Sequence, residues 1–239
     1  MSGVVVIPVY GHFEYAAVAV ASALSTTPDD VVIYVVDDAG PRPDAQTLRR
    51  WRRTPRVQYH RMSANVGLTA VWNLALRRHR HADVVVLGNS DLKFAPGWWA
   101  PLVESSKFFS LVGPVTSAPG HIPGQAVSKW LPDYVPDDSD ASLAETASRL
   151  RHLGTRKIRK VNGFCMAARP AEWWAMAVSP LNVFKPSLRM QGQEDELQAR
   201  CRNAGKRIAV VPASFVFHYR SVTRGVKYGR DQTFRLRVP

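Results

Sequence analysis

Four short stretches of this 239-residue chain gather the side chains that could do chemistry. Asp37 and Asp38 follow the run "VVIYVV", and Asn89-Ser90-Asp91 follow "VVVLG". Glu194-Asp195-Glu196 sit in "QGQEDELQAR", and His218 stands near the end of "FVFHY". A single Asp at a strand end suits a hard divalent cation. Mg²⁺ and Mn²⁺ take oxygen ligands and are often held by one or two carboxylates together with substrate phosphates. Asp91 is therefore the candidate metal ligand, and a neutral imidazole at His218 can complete such a site. Each stretch also has a plainer reading. Asp37 and Asp38 precede "AGP", where an Asx turn would use them. Asp91 would then only close a strand-end turn, and His218 would be a solvated strand-end histidine. Acids in a first helical turn complement the helix dipole. The dipole accounts for three consecutive acids, but not for Gly192 and Gln193 standing where a capping side chain is expected.

The elements that must position these residues can be read from hydrophobic patterning. Residues 4–10 ("VVVIPVY"), 30–40 ("DVVIYVVDDAG"), 56–62 and 82–92 ("ADVVVLGNSDL") are predicted strands. Helices are predicted over 13–25, 43–53 and 67–79. Continuous Val/Ile runs alternating with amphipathic helices indicate an α/β fold, with a parallel sheet covered on both faces. Ligands of such sheets bind outside the carboxyl ends of the strands, so both acid-bearing turns are expected to line one crevice. Residues 113–146 are rich in Pro and Gly and read as a long loop or lid. Then come a basic segment at 149–160, a Trp-rich helix at 171–178, and a helix opening at Glu194 with Leu197, Cys201 and Ala204 as its apolar stripe and Gly205 as its C-cap. A strand follows at 208–219, and the basic tail 220–239 shows no clear element.

Composition narrows the class. No apolar run is long enough to span a bilayer, and "VVVIPVY" lacks the basic leader of a signal peptide. The expectation is a soluble, cytoplasmic protein, with peripheral membrane contact left open. Cys165 and Cys201 have no ligand-like spacing and read as buried thiols. The formal net charge of +13 favours anionic partners: nucleotide phosphates, nucleic acid or an anionic membrane surface.

The ordered series "VVVIPVYG", "VVDDAG", "NVGLTAVWNLAL", "LGNSDL", "NGFCMAARP", "EDELQARCRNAGKRIAVVP" and "FHY" resembles the family 2 glycosyltransferases of the GT-A fold, over roughly residues 3–219. The resemblance implies one domain over 1–219, with a mostly parallel central sheet flanked by helices. A Rossmann-like nucleotide-sugar half (about 1–112) would precede an acceptor half (about 113–219). It further implies inverting transfer from a nucleoside-diphosphate sugar, assisted by Mn²⁺ or Mg²⁺. On that resemblance Pro8, Val9 and Tyr10 end the nucleotide-binding first strand, and Asp37 and Asp38 hold base and ribose. Asn65, Gly67 and Asn73 form the segment beside the nucleotide. Asn89, Ser90 and Asp91 stand as the DXD motif, with Asn in place of its first acid. Asp195, with Glu194 beside it, is the catalytic base, and His218 is the late metal- or phosphate-contacting histidine. Inversion needs a carboxylate to take the acceptor's proton, and the leaving diphosphate needs a cation.

The acceptor half would receive a glycan, a lipid-linked sugar or a small molecule. The basic segment raises DNA as the alternative, through glucosylation of a hydroxymethylated base flipped from the duplex. Trp98-Trp99, Trp130 and Trp173-Trp174 are candidates for stacking on sugars or bases, with helix packing favoured for Trp173 and Trp174. A non-catalytic nucleic-acid-binding protein on the same fold is a further reading, and it has no recognisable nucleic-acid motif behind it. A nucleotidyltransferase would carry a Gly- and Lys/Arg-rich loop after the first strand, which "PVYGHFEY" is not.

Overall fold

The computed structural model describes residues 3–220. The basic tail therefore lies outside the described residues except for Arg220. Strands β1 (Gly3–Val9), β2 (Val31–Asp37), β3 (Val57–Arg61) and β4 (Val84–Gly88) alternate with helices α1 (Phe13–Thr26), α2 (Ala45–Arg53) and α3 (Leu68–Arg78). The four strands pair in parallel in the order β3-β2-β1-β4. They are Val/Ile-rich because both faces are covered. Alternate residues Val5, Ile7, Ile33 and Val86 pack under α1, while Val4, Val6, Tyr34 and Leu87 pack under α3.

The second half is mixed. After β4 come β5 (Leu92–Phe94), α4 (Trp99–Ser105), β6 (Leu111–Thr116), α5 (Asp140–Leu150), β7 (Arg156–Ile158), β8 (Cys165–Ala168), α6 (Pro170–Ala175), α7 (Gln193–Asn203) and β9 (Ile208–His218). The sheet continues β4-β8-β6-β9-β5. Strand β8 is antiparallel to both neighbours, and β6 is parallel to β9. Strand β9 is long enough to pair on its far edge with β7 through Ile208–Val210 and with β5 through Val216–His218.

Three expectations are corrected here. The strand expected over 82–92 is two strands, β4 and β5, interrupted at residues 89–91; β5 leaves β4's line and pairs antiparallel with β9. The long loop expected over 113–146 contains the end of β6, two single 3₁₀ turns (Pro123–Gln125 and Val127–Lys129) and the first half of α5. Ser139 caps that helix by accepting from the Ser142 amide at 3.1 Å. Trp98 and Trp99 are buried against α1 and β1 rather than offered to a ligand, and the Trp98 indole donates to Thr26 Oγ1 at 2.9 Å. Trp173 is core as favoured, its indole donating to the Val85 carbonyl at 3.1 Å. Both cysteines are free and buried. Among the described residues no helix is long and apolar enough to cross a membrane.

Candidate active site

Strand order reverses at β1, whose sequence neighbour β2 lies on one side and β4 on the other. Pro8 has no N–H to donate, and pairing with β4 stops at Val6 while pairing with β2 runs on to Val9. The two strand ends therefore part, and a cleft of about 320 Å³ opens between them, within the usual range for ligand sites. Pro8, Val9, Tyr10 and Asp38 line one end of it; Asn89, Ser90, Asp91 and His218 line it also, as does Glu194 from α7.

The 89–91 interruption is held at three points. The Asn89 amide donates to the Phe164 carbonyl at 2.8 Å, the Tyr219 amide donates to the Asp91 carbonyl at 3.0 Å, and β5 resumes pairing at Leu92. Asp91 and His218 are brought face to face, with Oδ1 3.3 Å from Nε2. The imidazole stacks on Phe164 at 5.2 Å between centroids, and its Nδ1 lies 3.1 Å from the Ala118 carbonyl. A proton on Nδ1 satisfies that carbonyl and leaves a lone pair on Nε2. At this separation the carboxylate oxygen and the ring nitrogen can hydrogen-bond to each other or share a cation between them.

The adjacent acids Asp37 and Asp38 have different surroundings. Asp37 is fully buried and does not line the cleft. It accepts from the Tyr59 hydroxyl at 2.6 Å, from Arg61 Nη1 and from the Gly40 amide at 3.3 Å. Burial, and next the Asp37 carboxylate, push the Tyr59 phenol up to about 12. Asp38 faces the cleft and accepts from Val66 N at 2.7 Å and from Gly67 N and Asn65 Nδ2 at 2.9 Å each. Asn65 and Gly67 thus form a turn fastened by Asp38 and by Arg189, whose Nη2 donates to the Asn65 carbonyl at 2.8 Å. Asn73 is placed elsewhere again. It is buried away from the cleft lining, its Nδ2 donating to the Phe184 carbonyl at 2.9 Å and its Oδ1 accepting from Val183 N and Phe184 N.

The two catalytic candidates on α7 also diverge. Asp195 is half exposed, lies outside the cleft lining and is ion-paired with Lys160. Glu194 lines the cleft, and its Oε2 is buried with no hydrogen-bond partner among the described residues. Gly192 precedes it with φ +76°, a left-handed conformation that serves as the N-cap and explains the missing capping side chain. A Cβ on Gly163 would stand 3.1 Å from Glu194 Cδ, so any larger residue at that point of the 162–164 turn would make that carboxyl give way by a few tenths of an ångström. Asn162, Gly163 and Phe164 line the cleft and were legible only as part of the motif "NGFCMAARP". His121 and Arg220 line it with no sequence signal that pointed to them.

No curated protein sequence matches the chain. Solved structures do match in fold. GalNAc-T7 with UDP, GalNAc and Mn²⁺ superposes with a TM-score of 0.69 at 18% identity, over 91% of this chain and 44% of that one. The mannosyltransferase PcManGT from Pyrobaculum calidifontis, with GDP-Man and Mn²⁺, gives 0.59 at 16% identity over 90% and 56%. S. aureus TarS 1-349 with UDP-GlcNAc gives 0.62 at 14% identity over 91% and 58%. The chain thus spans under two thirds of each of these relatives, and the shared architecture is the GT-A fold. The family model described as glycosyl transferase family 2 matches residues 4–166, well over half of the sequence, with all of β1 but Gly3 and the Asn89–Asp91 break inside the match. The chain belongs to glycosyl transferase family 2.

Proposed function

We propose that the protein transfers a sugar, with inversion, from a nucleoside-diphosphate sugar to an acceptor hydroxyl, with Glu194 as the general base. The observation that carries this reading is the Glu194 side chain, which lines the same cleft as the Asp91–His218 pair and has its Oε2 buried with no hydrogen-bond partner among the described residues. Family membership and the nucleotides and Mn²⁺ held by the similar structures support the donor class. Pro8, Val9, Tyr10 and Asp38 would hold the nucleoside, while Asn89 and Ser90 would meet the diphosphate, with Arg220 beside them. Asp37, Asn65, Gly67 and Asn73 act one step removed, by shaping the turns around that cleft.

The donor set at the strand break suits a divalent cation. Asp91 Oδ1 and His218 Nε2 offer one oxygen and one nitrogen at a common point, and a third group of His, Cys, Asp or Glu is absent among the described residues. The remaining ligands would come from the diphosphate, as is usual for Mg²⁺ and Mn²⁺. A cation held there would neutralise charge developing on the departing diphosphate. In the displacement itself, the acceptor oxygen attacks the anomeric carbon from the face opposite the diphosphate. The carbon–oxygen bond to the diphosphate breaks, and the acceptor's proton passes to Glu194. The acceptor is a glycan, a lipid-linked sugar or a small molecule, or a hydroxymethylated base of DNA, which the basic segment 149–160 favours.

The test separates the two neighbouring acids. Release of UDP or GDP from UDP-GlcNAc, UDP-GalNAc or GDP-mannose with Mn²⁺ is followed for the wild type, Glu194→Gln and Asp195→Asn. Glu194→Gln should slow turnover by about 10²–10⁴-fold, the usual contribution of a general base, with nucleotide binding kept. Asp195→Asn should retain most of the activity. The opposite pattern would move the base to Asp195.

A further inference from the structure

The run "RLRHLGTRKIRK" (149–160) holds six Lys or Arg and no acid. The structure spreads it over the end of α5, the following turn and β7, which is an edge strand of the sheet. Arg151, Arg156, Lys157 and Arg159 are exposed. Of the six cations, Arg149 is paired with Glu145 and Lys160 with Asp195; the other four meet no carboxylate among the described residues. The apolar residues of the run turn inward, Leu150 and Leu153 beneath α5 and Ile158 between two core clusters. The result is a ridge of charge with no apolar side chain to enter a bilayer. It lies beside the catalytic turn, because Lys160 at its end holds Asp195, the neighbour of Glu194, and Asn162 and Gly163 just beyond it line the cleft.

We propose that this ridge docks the phosphodiester backbone of duplex DNA and presents it to the Glu194 cleft. The partner follows from the chemistry. Four of the six cations are guanidinium groups, whose planar fork matches phosphate oxygens in bidentate fashion. Membrane-surface segments that insert need an apolar face, which this ridge lacks, and attachment to anionic lipid by charge alone is separated from DNA binding by the vesicle measurement. Single strands are held by stacking platforms, whereas the run 149–160 carries no Phe, Tyr or Trp. Backbone charge contact alone is the mode that suits a duplex. The proposal rests on the transferase reading only for what happens after docking.

Binding of a short DNA duplex is measured by fluorescence anisotropy between about 50 and 200 mM salt. The full-length wild type is compared with a variant carrying Arg151→Gln, Arg156→Gln, Lys157→Gln and Arg159→Gln. The variant should lose roughly tenfold in affinity for each phosphate contact removed, and its log–log salt slope should become shallower by about 0.9 per contact. Stabilisation by UDP with Mn²⁺, read by thermal shift, should be unchanged and reports that the variant is folded. Equal affinity and slope for the two proteins would overturn the proposal, since another surface would then carry the DNA. Binding of the wild type to phosphatidylserine vesicles but not to DNA would overturn it as well. If no donor nucleotide stabilises the wild type while the ridge still binds DNA, the transferase reading fails and the docking surface stands.

Discussion

Asn73 offers the sharpest test of how this site is built. Sequence resemblance places it beside the nucleotide, whereas the structure places its amide between α3 and the 183–184 turn. Replacing it with Leu keeps the number and branching of heavy atoms and removes the polar ones. Val183 N and Phe184 N then lose their acceptor, and the Phe184 carbonyl loses its donor, all three bonds being 2.9–3.0 Å and buried. A buried backbone group left without a partner costs about 1–3 kcal/mol, so three of them with partial relaxation cost roughly 3–6 kcal/mol. For a chain of this size each kcal/mol lowers Tm by about 2–4 °C, which gives a fall of roughly 6–24 °C. Thermal unfolding followed by circular dichroism reads the loss. Well below its Tm, Asn73→Leu should bind UDP with Mn²⁺ within about twofold of the wild type, because no atom of Asn73 lines the cleft. An unchanged Tm with nucleotide binding abolished would refute the structural role and return Asn73 to the ligand.

Two other outcomes follow from single residues. Mn²⁺ should tighten UDP binding to the wild type, and His218→Ala should erase that metal increment by at least about tenfold, the loss typical of even an outer-shell partner, while metal-free UDP binding persists; calorimetry with and without EDTA separates the two terms, and an intact increment would remove His218 from the metal site. His79, packed edge-on to Tyr34 at 4.7 Å, is held down to about 4 by burial and, less, by Arg78. Its folded pKa lies below the unfolded value, so its contribution is present above pH 6.5 and is lost as pH falls toward 4, a loss of about 1–2 kcal/mol once the ring's partial exposure to water is discounted. Denaturant unfolding at stepped pH should show this slope in the wild type and its absence in His79→Phe, and superimposable pH profiles would contradict it.

The first half of the fold was legible because its strands are buried on both faces, which makes them unbroken Val/Ile runs that no helix of similar length imitates. Strand β6, "LVGPVT", carries a Gly and a Pro and gives no such signal. It is a strand because β8 and β9 flank it, with a register shift against β9 at Pro114/Val115. Helix α5 had both a Ser139 cap and the spacing of Leu143, Ala147 and Leu150, but the preceding "PDYVPDDSD" masked it.

The site was legible as positions and not as orientations, and the two acid pairs show why. At the end of β2 successive side chains leave on opposite faces, so of Asp37 and Asp38 only one can look into the cleft. Which one depends on where Tyr59 and Arg61 of β3 stand, and that is a tertiary fact. On α7 successive residues are about 100° apart, so again only one of Glu194 and Asp195 can face inward. Here the answer was already in the spacing. The buried residues of that helix are Gln193, Leu197, Gln198 and Cys201, and the last three fall three, four and seven positions after Glu194, the stripe of a single helical face. Asp195 is off that stripe and turns outward to Lys160. The periodicity that packs α7 against the sheet is therefore the same one that turns Glu194 toward the cleft, and a carboxylate placed by core packing keeps its aim for as long as the helix stays docked.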